Sequence, residues 1–412
     1  MKKYSKPEYR DAFAFLKGRI EKDGKLNKGV AVNFVQDELH ELLNSFLNGG
    51  FSRAGYVLYP LIKNVSGENK KRLARISFIL KYVNKSRFSE TISLVETSPL
   101  NDFDFASVLC GIFRNFHFDG KTGKSAEKGP VAAFDLLDYD QADRDYLKSI
   151  DELRIKSEKI IKKHALGFYI HGSIATNDYV KGWSDADTML ILKKEAFEKP
   201  NNLIELRDAL YGLRRFYCEI DPLQHHGTMI ITEFDLDYYP EVFLPIDALK
   251  RSKSLLEGDV PIRFRIRDSR VEAFSKFRWF CGYFQRLDEK KLKNPYDLKF
   301  ALHLVTLFPA LYLEAKGRFM YKKFSFGIAE KDFEPEEWKV IKYSERLRDE
   351  WKLEGKMPLL KTVSRFNPVL AYIAGSRYIS LINGLKNKVD RNLIVSGVKV
   401  LSKKALKNIE SP

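Results

Sequence analysis

The chain has 412 residues, of which 44% are hydrophobic and 31% charged, enough for two or three domains with substantial cores. Its short apolar runs and three widely spaced cysteines indicate no membrane span, signal peptide, disulfide framework or zinc motif, so we expect a cytoplasmic protein. The net charge of +16 favours encounters with polyanions such as nucleotides and RNA, although scattered lysines are also typical of an ordinary solvated surface.

The first third of the chain has the hydrophobic spacing of helices. Apolar residues three and four positions apart recur within 34–46, 73–83 and 103–113, which predicts three helices. The segment 117–129 is rich in glycine and lysine and predicts an exposed loop. Because no catalytic motif occurs in 1–140, we interpret this region as a helical scaffold or a partner-binding module.

The rest of the chain first alternates between helix and strand patterns and then becomes helical. Period-two runs of apolar residues predict strands, and stripes at a spacing of three and four predict helices. The predicted elements are a helix over about 143–165, a strand ending at Gly172, a strand over 183–192, a helix over 203–216, a strand within 218–236, a helix over 240–258, and helices from about 262 onward.

Two acidic residues, Asp185 and Asp187, lie in the second central strand. Alternate side chains of a strand point the same way, so both carboxylates are expected on one face and Ala186 on the other. Two carboxylates this close repel each other unless a cation lies between them. Mg²⁺ binds one or two carboxylates together with phosphate oxygens and water, so the pair predicts a magnesium site, with Mn²⁺ as the alternative ion.

The pair Gly172-Ser173 ends the preceding strand and predicts a phosphate-binding turn. Glycine lets a phosphate approach the backbone closely, while the serine hydroxyl and neighbouring N–H groups can bind an anion. Taken singly, a Gly-Ser pair is usually an ordinary turn, and an Asp-x-Asp sequence is usually a solvated strand end. A Gly-Ser turn beside an Asp-x-Asp strand is suited to hold a metal-bound triphosphate.

Together these features resemble the DNA polymerase beta-like nucleotidyltransferase superfamily. Its signature is an apolar strand, Gly-Ser or Gly-Gly, a spacer of about this length, and Asp-x-Asp in an apolar strand. The resemblance covers roughly residues 145–260. It implies an α+β fold in which a small mixed-sheet nucleotidyltransferase core, 141–260, is flanked by a helical N-terminal region, 1–140, and a helical C-terminal domain, 261–412.

The resemblance further implies an enzyme that moves an NMP group from an NTP to a hydroxyl acceptor and releases pyrophosphate. Asp185 and Asp187 would bind two Mg²⁺ ions, and Gly172 and Ser173 would orient the triphosphate. The basic charge favours RNA or tRNA as the acceptor, while the helical flanks suit a protein or a small molecule equally. The alternative is a catalytically weak nucleotide-sensing or nucleic-acid-binding module on the same fold.

Members of this superfamily usually carry a third carboxylate on the third strand, where it acts as a base and helps to hold the metal. The first choice here is Asp221, the second is His226 as a base or metal neighbour, and the third is Glu233 at the far end of the strand. His225 and His226 are expected on opposite faces, so the two imidazoles cannot readily bind one metal.

A basic, aromatic stretch over 317–326 follows the predicted C-terminal helices. Many nucleotidyltransferases use a helical domain to hold the triphosphate, so by analogy Lys322 or Lys323, with Ser325, would close over the phosphates. We select Lys323 as the nucleotide-binding residue, because an ammonium group is a compact point charge suited to phosphate. An exposed basic turn between two helices is the competing interpretation.

Overall fold

The structure is a computed structural model that describes residues 12–49, 67–116, 123–221, 223–224, 226–293, 295–351, 362–363, 365–367, 369–370 and 389–410. Helices dominate these residues and accompany two small sheets, one of three strands and one of four. The coarse fold prediction, helices with a small mixed sheet, is therefore confirmed.

The described residues before 117 form helices, and the three helices predicted there are confirmed, whereas a strand lies further on in the predicted helical region 1–140. The longest begins where the Asn27 side chain accepts a hydrogen bond from the Val30 N–H, and it ends at Gly49, whose φ is +77°. The helices are α1 (Ala12–Asp23), α2 (Lys28–Asn48), α3 (Gly67–Asn84), α4 (Ser89–Thr97) and α5 (Asp102–Asn115).

The central region contains both sheets. The predicted order of helix, strand, strand, helix and strand is confirmed, with a single helical turn after the first of these strands. Its elements are β1 (Lys124–Lys128), α6 (Gln141–Ile160), β2 (Ala165–His171), α7 (Gly172–Ala175), β3 (Asp187–Leu192), α8 (Pro200–Ile220), β4 (Met229–Thr232), β5 (Tyr239–Pro240), α9 (Ile246–Leu249), β6 (Lys253–Ser254) and β7 (Ile262–Arg267).

The four-stranded sheet carries both sequence motifs and has the strand order β4-β3-β2-β6. Strand β2 runs antiparallel to β3 and β6, whereas β3 and β4 are parallel. The last residue of β2, His171, pairs with the first residue of β3, Asp187. This register brings the Gly-Ser turn directly beside the Asp-x-Asp pair.

The three-stranded sheet corrects three sequence-based expectations. The predicted loop over 117–129 contains β1, the predicted helix over 240–258 is mostly turns with only α9 helical, and the chain from 262 begins with β7 rather than a helix. Strand β1 has the polar sequence Lys-Ser-Ala-Glu-Lys and forms because β7 supplies an antiparallel partner. Such pairing partners lie far away in sequence, so local spacing does not indicate them.

Helix α2 covers the edge of the four-stranded sheet that β4 forms. The Asn44 side chain donates to the Ile230 carbonyl and accepts from the Ile230 N–H, both at 2.9 Å, and Asn48 donates to the Thr228 carbonyl at 2.8 Å. Two amide side chains therefore take the place of a neighbouring strand along β4. Residues on both sides of the predicted domain boundary at 140 also share one hydrophobic core.

The C-terminal part packs into a second hydrophobic core, which also includes Trp183 from the loop before β3. Within it, one helix corrects the expectation about apolar runs, because its stretch Asp297–Ala315 is long and apolar enough to cross a membrane. In the structure 78% of that stretch is buried inside the protein, as in a core helix. The helices are α10 (Arg270–Gln285), α11 (Pro295–Ala315), α12 (Phe326–Ala329), α13 (Pro335–Asp349) and α14 (Arg391–Glu410).

Candidate metal and phosphate site

Three side chains meet at the junction of β2, β3 and the segment before β4: Asp185, Asp187 and His226, called here the Asp-Asp-His cluster. The His226 Nε2 atom lies 3.4 Å from Asp185 Oδ2 and 3.3 Å from Asp187 Oδ1. Donor atoms that share one metal ion at about 2.1 Å are about 3.0–3.4 Å apart. Two carboxylates and one imidazole at this spacing therefore fit a divalent cation.

His226 is oriented by its own backbone neighbour. Its Nδ1 atom lies 3.0 Å from the Gly227 carbonyl oxygen, which can only accept, so Nδ1 carries a proton and donates it. Burial alone would lower the pKa of His226, but hydrogen bonds to Asp185 and Asp187 raise it well above the ordinary value of 6.5. The Nε2 atom thus faces the carboxylates. Without a metal it carries a proton and donates to them, and with a bound cation it would lose that proton and offer its lone pair to the metal.

Gln224 ties the two chain segments of the cluster together. It is buried, and its amide oxygen accepts from the Ala186 N–H at 3.3 Å while its amide nitrogen donates to the Ala186 carbonyl at 3.4 Å. The same nitrogen donates to the His226 carbonyl at 3.0 Å. Gln224 therefore holds the backbone between the two aspartates at a set position relative to His226.

Gly172 is required beside the cluster for two independent reasons. Its φ is +70°, in the left-handed region that glycine favours. A Cβ atom added there would lie 2.6 Å from Asp187 Oδ2, which is closer than real Cβ contacts allow. Ser173 follows, half-buried, in the single turn of α7. The structure thus places the Gly-Ser pair against the carboxylate of Asp187.

Replacing Gly172 by Ala is expected to destabilise the protein by about 1–3 kcal/mol, since both φ and the space oppose a Cβ atom. The added methyl group would also push the Asp187 carboxylate out of the cluster and weaken metal binding. Gly212→Ala is the matched control, because a Cβ there meets no atom within 4 Å. Thermal unfolding with and without Mn²⁺ measures both effects, and equal behaviour of the two variants would contradict the prediction.

Asp221 lies at the end of α8, outside the Asp-Asp-His cluster. Its buried carboxylate binds the buried Lys299 ammonium at 2.7 Å and accepts from the Leu223 N–H at 2.9 Å. Burial raises the pKa of Asp221, and the Lys299 charge opposes that shift. The catalytic role given to Asp221 stays a prediction, while the structure shows a buried ion pair that joins the central sheet region to α11.

The remaining candidate for the third position, Glu233, also lies apart from the cluster. Glu233 follows β4 at the end away from the cluster and accepts from the Lys194 N–H at 3.1 Å. His225 lies outside the described residues. Among the three candidates, His226 is the one that the structure brings to the two aspartates.

The two lysines of the basic stretch have different surroundings. The Lys323 Nζ atom lies 3.4 Å from Asp178 Oδ2, in the loop that connects the Gly-Ser turn to the Asp-x-Asp pair. Lys322 lines the cavity next to the cluster, whereas the Ser325 hydroxyl donates to the Lys322 carbonyl at 2.6 Å. Lys322 thus lines the site, while the nucleotide-binding role given to Lys323 stays a prediction.

A cavity of about 290 Å³ opens beside the Asp-Asp-His cluster. The cluster, Gly172 and Lys322 form its polar side. The turn over 242–245 and Leu304, Leu307 and Leu311 of α11 form an apolar wall, and the same helix adds the polar side chains of His303 and Glu314. Ligand sites in proteins are commonly such concave, mostly apolar pockets with a few convergent polar groups.

The chain matches no protein-family model, no curated protein and no solved structure. Two parts of the site were not predicted from the sequence. Gln224 stands in a polar Gln-His-His-Gly run before a strand, which is a weak signal for a site. The apolar wall from α11 has no distinguishing signal, because its leucines have the same spacing as an ordinary core stripe.

Proposed function

We propose that the protein is a divalent-metal-dependent nucleotidyltransferase that moves an NMP group from an NTP to a hydroxyl acceptor. One observation carries the proposal: two carboxylates and an imidazole converge within 4.8 Å, and a glycine that tolerates no Cβ atom lies against one carboxylate. Carboxylates converging at a cavity beside an anion-binding turn suit a metal-bound triphosphate.

In this reaction the acceptor hydroxyl loses its proton to solvent and its oxygen bonds to the α-phosphorus, while the bond from that phosphorus to the bridging oxygen breaks to release pyrophosphate. A bound divalent ion supplies Lewis-acid stabilisation of the phosphoryl oxygens. Asp185 and Asp187 would hold that ion, and the backbone at Gly172 would allow close approach of a phosphate. Lys322, which lines the cavity, would contact the remaining phosphate oxygens. Ser173, in the turn after Gly172, stays a predicted phosphate-binding residue.

The apolar wall of the cavity is suited to the nucleobase. A base presents two flat faces that pack against leucine and proline side chains, while its phosphates extend to the polar side. Among the wall residues, Leu307 is half-buried and lines the cavity, so a larger side chain at this position has room to fill it.

We expect Leu307→Trp to weaken NTP binding about tenfold, or ~1.4 kcal/mol, because the indole would occupy the space of the base. The exposed Val400→Trp on α14 is the control for adding a tryptophan. Equilibrium binding of a fluorescent NTP analogue measures the change. Unchanged affinity in Leu307→Trp would place the base elsewhere.

The proposed activity is tested with each of the four labelled NTPs, a divalent metal and crude cell extract as the source of acceptor. The control is the double variant Asp185→Ala/Asp187→Ala. Label that moves onto RNA, protein or a small molecule only with the intact protein, together with pyrophosphate release, supports the proposal and names the acceptor class. Equal label transfer by the double variant would rule out this site.

A catalytically weak nucleotide-sensing or nucleic-acid-binding module is the second candidate, and a specific observation favours it. The cluster contains an imidazole where a third carboxylate is expected, and Asp221 is already bound by Lys299. Such a module would bind NTP, with or without metal, and release no pyrophosphate. Comparing NTP binding with pyrophosphate release on the same preparation separates the two functions.

A further inference from the structure

The imidazole nitrogen of His226 affects which metal ion the Asp-Asp-His cluster would prefer. Mg²⁺ prefers oxygen ligands and an octahedral shell that retains several waters. Imidazole nitrogen, by contrast, suits first-row transition metals, for which affinity rises from Mn²⁺ towards Cu²⁺. The identity of the third donor therefore decides between a hard oxygen site and a mixed oxygen and nitrogen site.

His226 has the features of a metal ligand rather than of a passing neighbour. Its Nε2 atom is about equally far from the two carboxylates, at 3.3 and 3.4 Å. Its other nitrogen donates to the Gly227 carbonyl, the second-sphere hydrogen bond that typically orients metal-binding histidines. In addition, the Gln224 amide binds the His226 carbonyl and the backbone of Ala186, so it links the chain segments that carry the three donors.

We propose that the Asp-Asp-His cluster binds a first-row transition-metal dication in preference to Mg²⁺, with His226 Nε2 as a direct ligand. The inference rests on the proposed function for the role of the ion, although ion binding itself is measured without nucleotide. The two carboxylates neutralise the dication, and the imidazole adds a neutral donor that Mg²⁺ uses poorly.

The test uses Mn²⁺ as the probe on the full chain without nucleotide. Pulsed electron paramagnetic resonance detects nitrogen bound directly to Mn²⁺, and Mg²⁺ competition gives the ratio of the two affinities. We expect a nitrogen signal in the natural protein and none in His226→Asp. We also expect that substitution to reduce the preference for Mn²⁺ over Mg²⁺ about tenfold.

A second variant separates a ligand from a mere counter-ion. If His226 only balances the charge of Asp185 and Asp187 as an imidazolium, His226→Gln removes a competing cation and strengthens Mn²⁺ binding. If His226 is a ligand, His226→Gln weakens Mn²⁺ binding. His171→Gln is the matched control, since His171 pairs with Asp187 in the sheet but does not belong to the cluster. We expect Mn²⁺ bound to this variant to keep its nitrogen signal.

The outcomes also separate this inference from the proposed function. Absence of a nitrogen signal in the natural protein, or stronger Mn²⁺ binding by His226→Gln, would overturn the inference even if label transfer with Mg²⁺ were observed. A nitrogen signal from bound Mn²⁺ without label transfer in the presence of any metal would support the inference and would refute the proposed nucleotidyltransferase activity. Thermal unfolding of each variant confirms that a loss of binding does not come from a loss of fold.

Discussion

Asp187→Asn is expected to lower the rate of nucleotidyl transfer by about 10³-fold, since it removes a charged ligand where the reaction needs electrostatic stabilisation. Asp185→Asn should have an effect of the same order. Both carboxylates approach His226 and line the cavity. The isosteric amide also relieves repulsion between the two acids, so the fold should persist.

The measurement is label transfer under single-turnover conditions, together with thermal unfolding. Glu233→Gln is the matched control, because it removes an acidic side chain at the other end of β4 and keeps an acceptor for the Lys194 N–H. We expect Glu233→Gln to retain its activity. Full activity in either aspartate variant would refute the metal site, and a large loss in Glu233→Gln would reopen the choice of the third residue.

Asp221→Ala is expected to destabilise the protein by about 3–5 kcal/mol, because it leaves the buried Lys299 ammonium without its counter-charge. The Lys299 Nζ atom also lies 5.7 Å from the centre of the Trp183 ring, so the loss would disturb the loop before β3. The midpoint of urea unfolding measures the effect. A metal ligand or catalytic base at a solvated cleft would instead lose activity with little change in this midpoint.

The double variant Asp221→Leu/Lys299→Met decides between these roles. Replacing both members of a buried ion pair by apolar side chains is often neutral or stabilising, so most of the lost stability should return. If activity returns as well, Asp221 is a structural residue. If stability returns without activity, Asp221 takes part in the reaction as the sequence predicted.

Local patterns were sufficient for a good part of the fold. The predicted order of helices and strands through the motif region and three N-terminal helices were correct, because helix and strand periods are properties of consecutive residues. Strand alternation over 183–192 predicted that Asp185 and Asp187 face one side. The structure brings both to His226, but β3 begins at Asp187, so Asp185 lies in the loop before the strand and alternation does not set its direction. The helical spacing of apolar residues gave a wrong prediction in 240–267, where short strands and turns replace most of the expected helices.

The third residue of the cluster, His226, could not be chosen from the periodic spacing of residues. The described residues between the end of α8 and the start of β4 have no regular secondary structure, so no period determines where their side chains point. Lys299, which lies on a helix 78 residues later, binds Asp221, and this leaves His226 as the candidate that reaches the aspartates.

By itself the amino-acid sequence determined the helix and strand order around Gly172 and the Asp-x-Asp pair, since these depend on nearest neighbours along the chain. Only the tertiary structure decided the cluster's third donor, the apolar wall from α11 and the helix that covers β4. Asn44 and Ile230 are 186 residues apart, yet they exchange two hydrogen bonds. Such contacts depend on how whole elements pack together, and their partners cannot be read from the spacing of either segment.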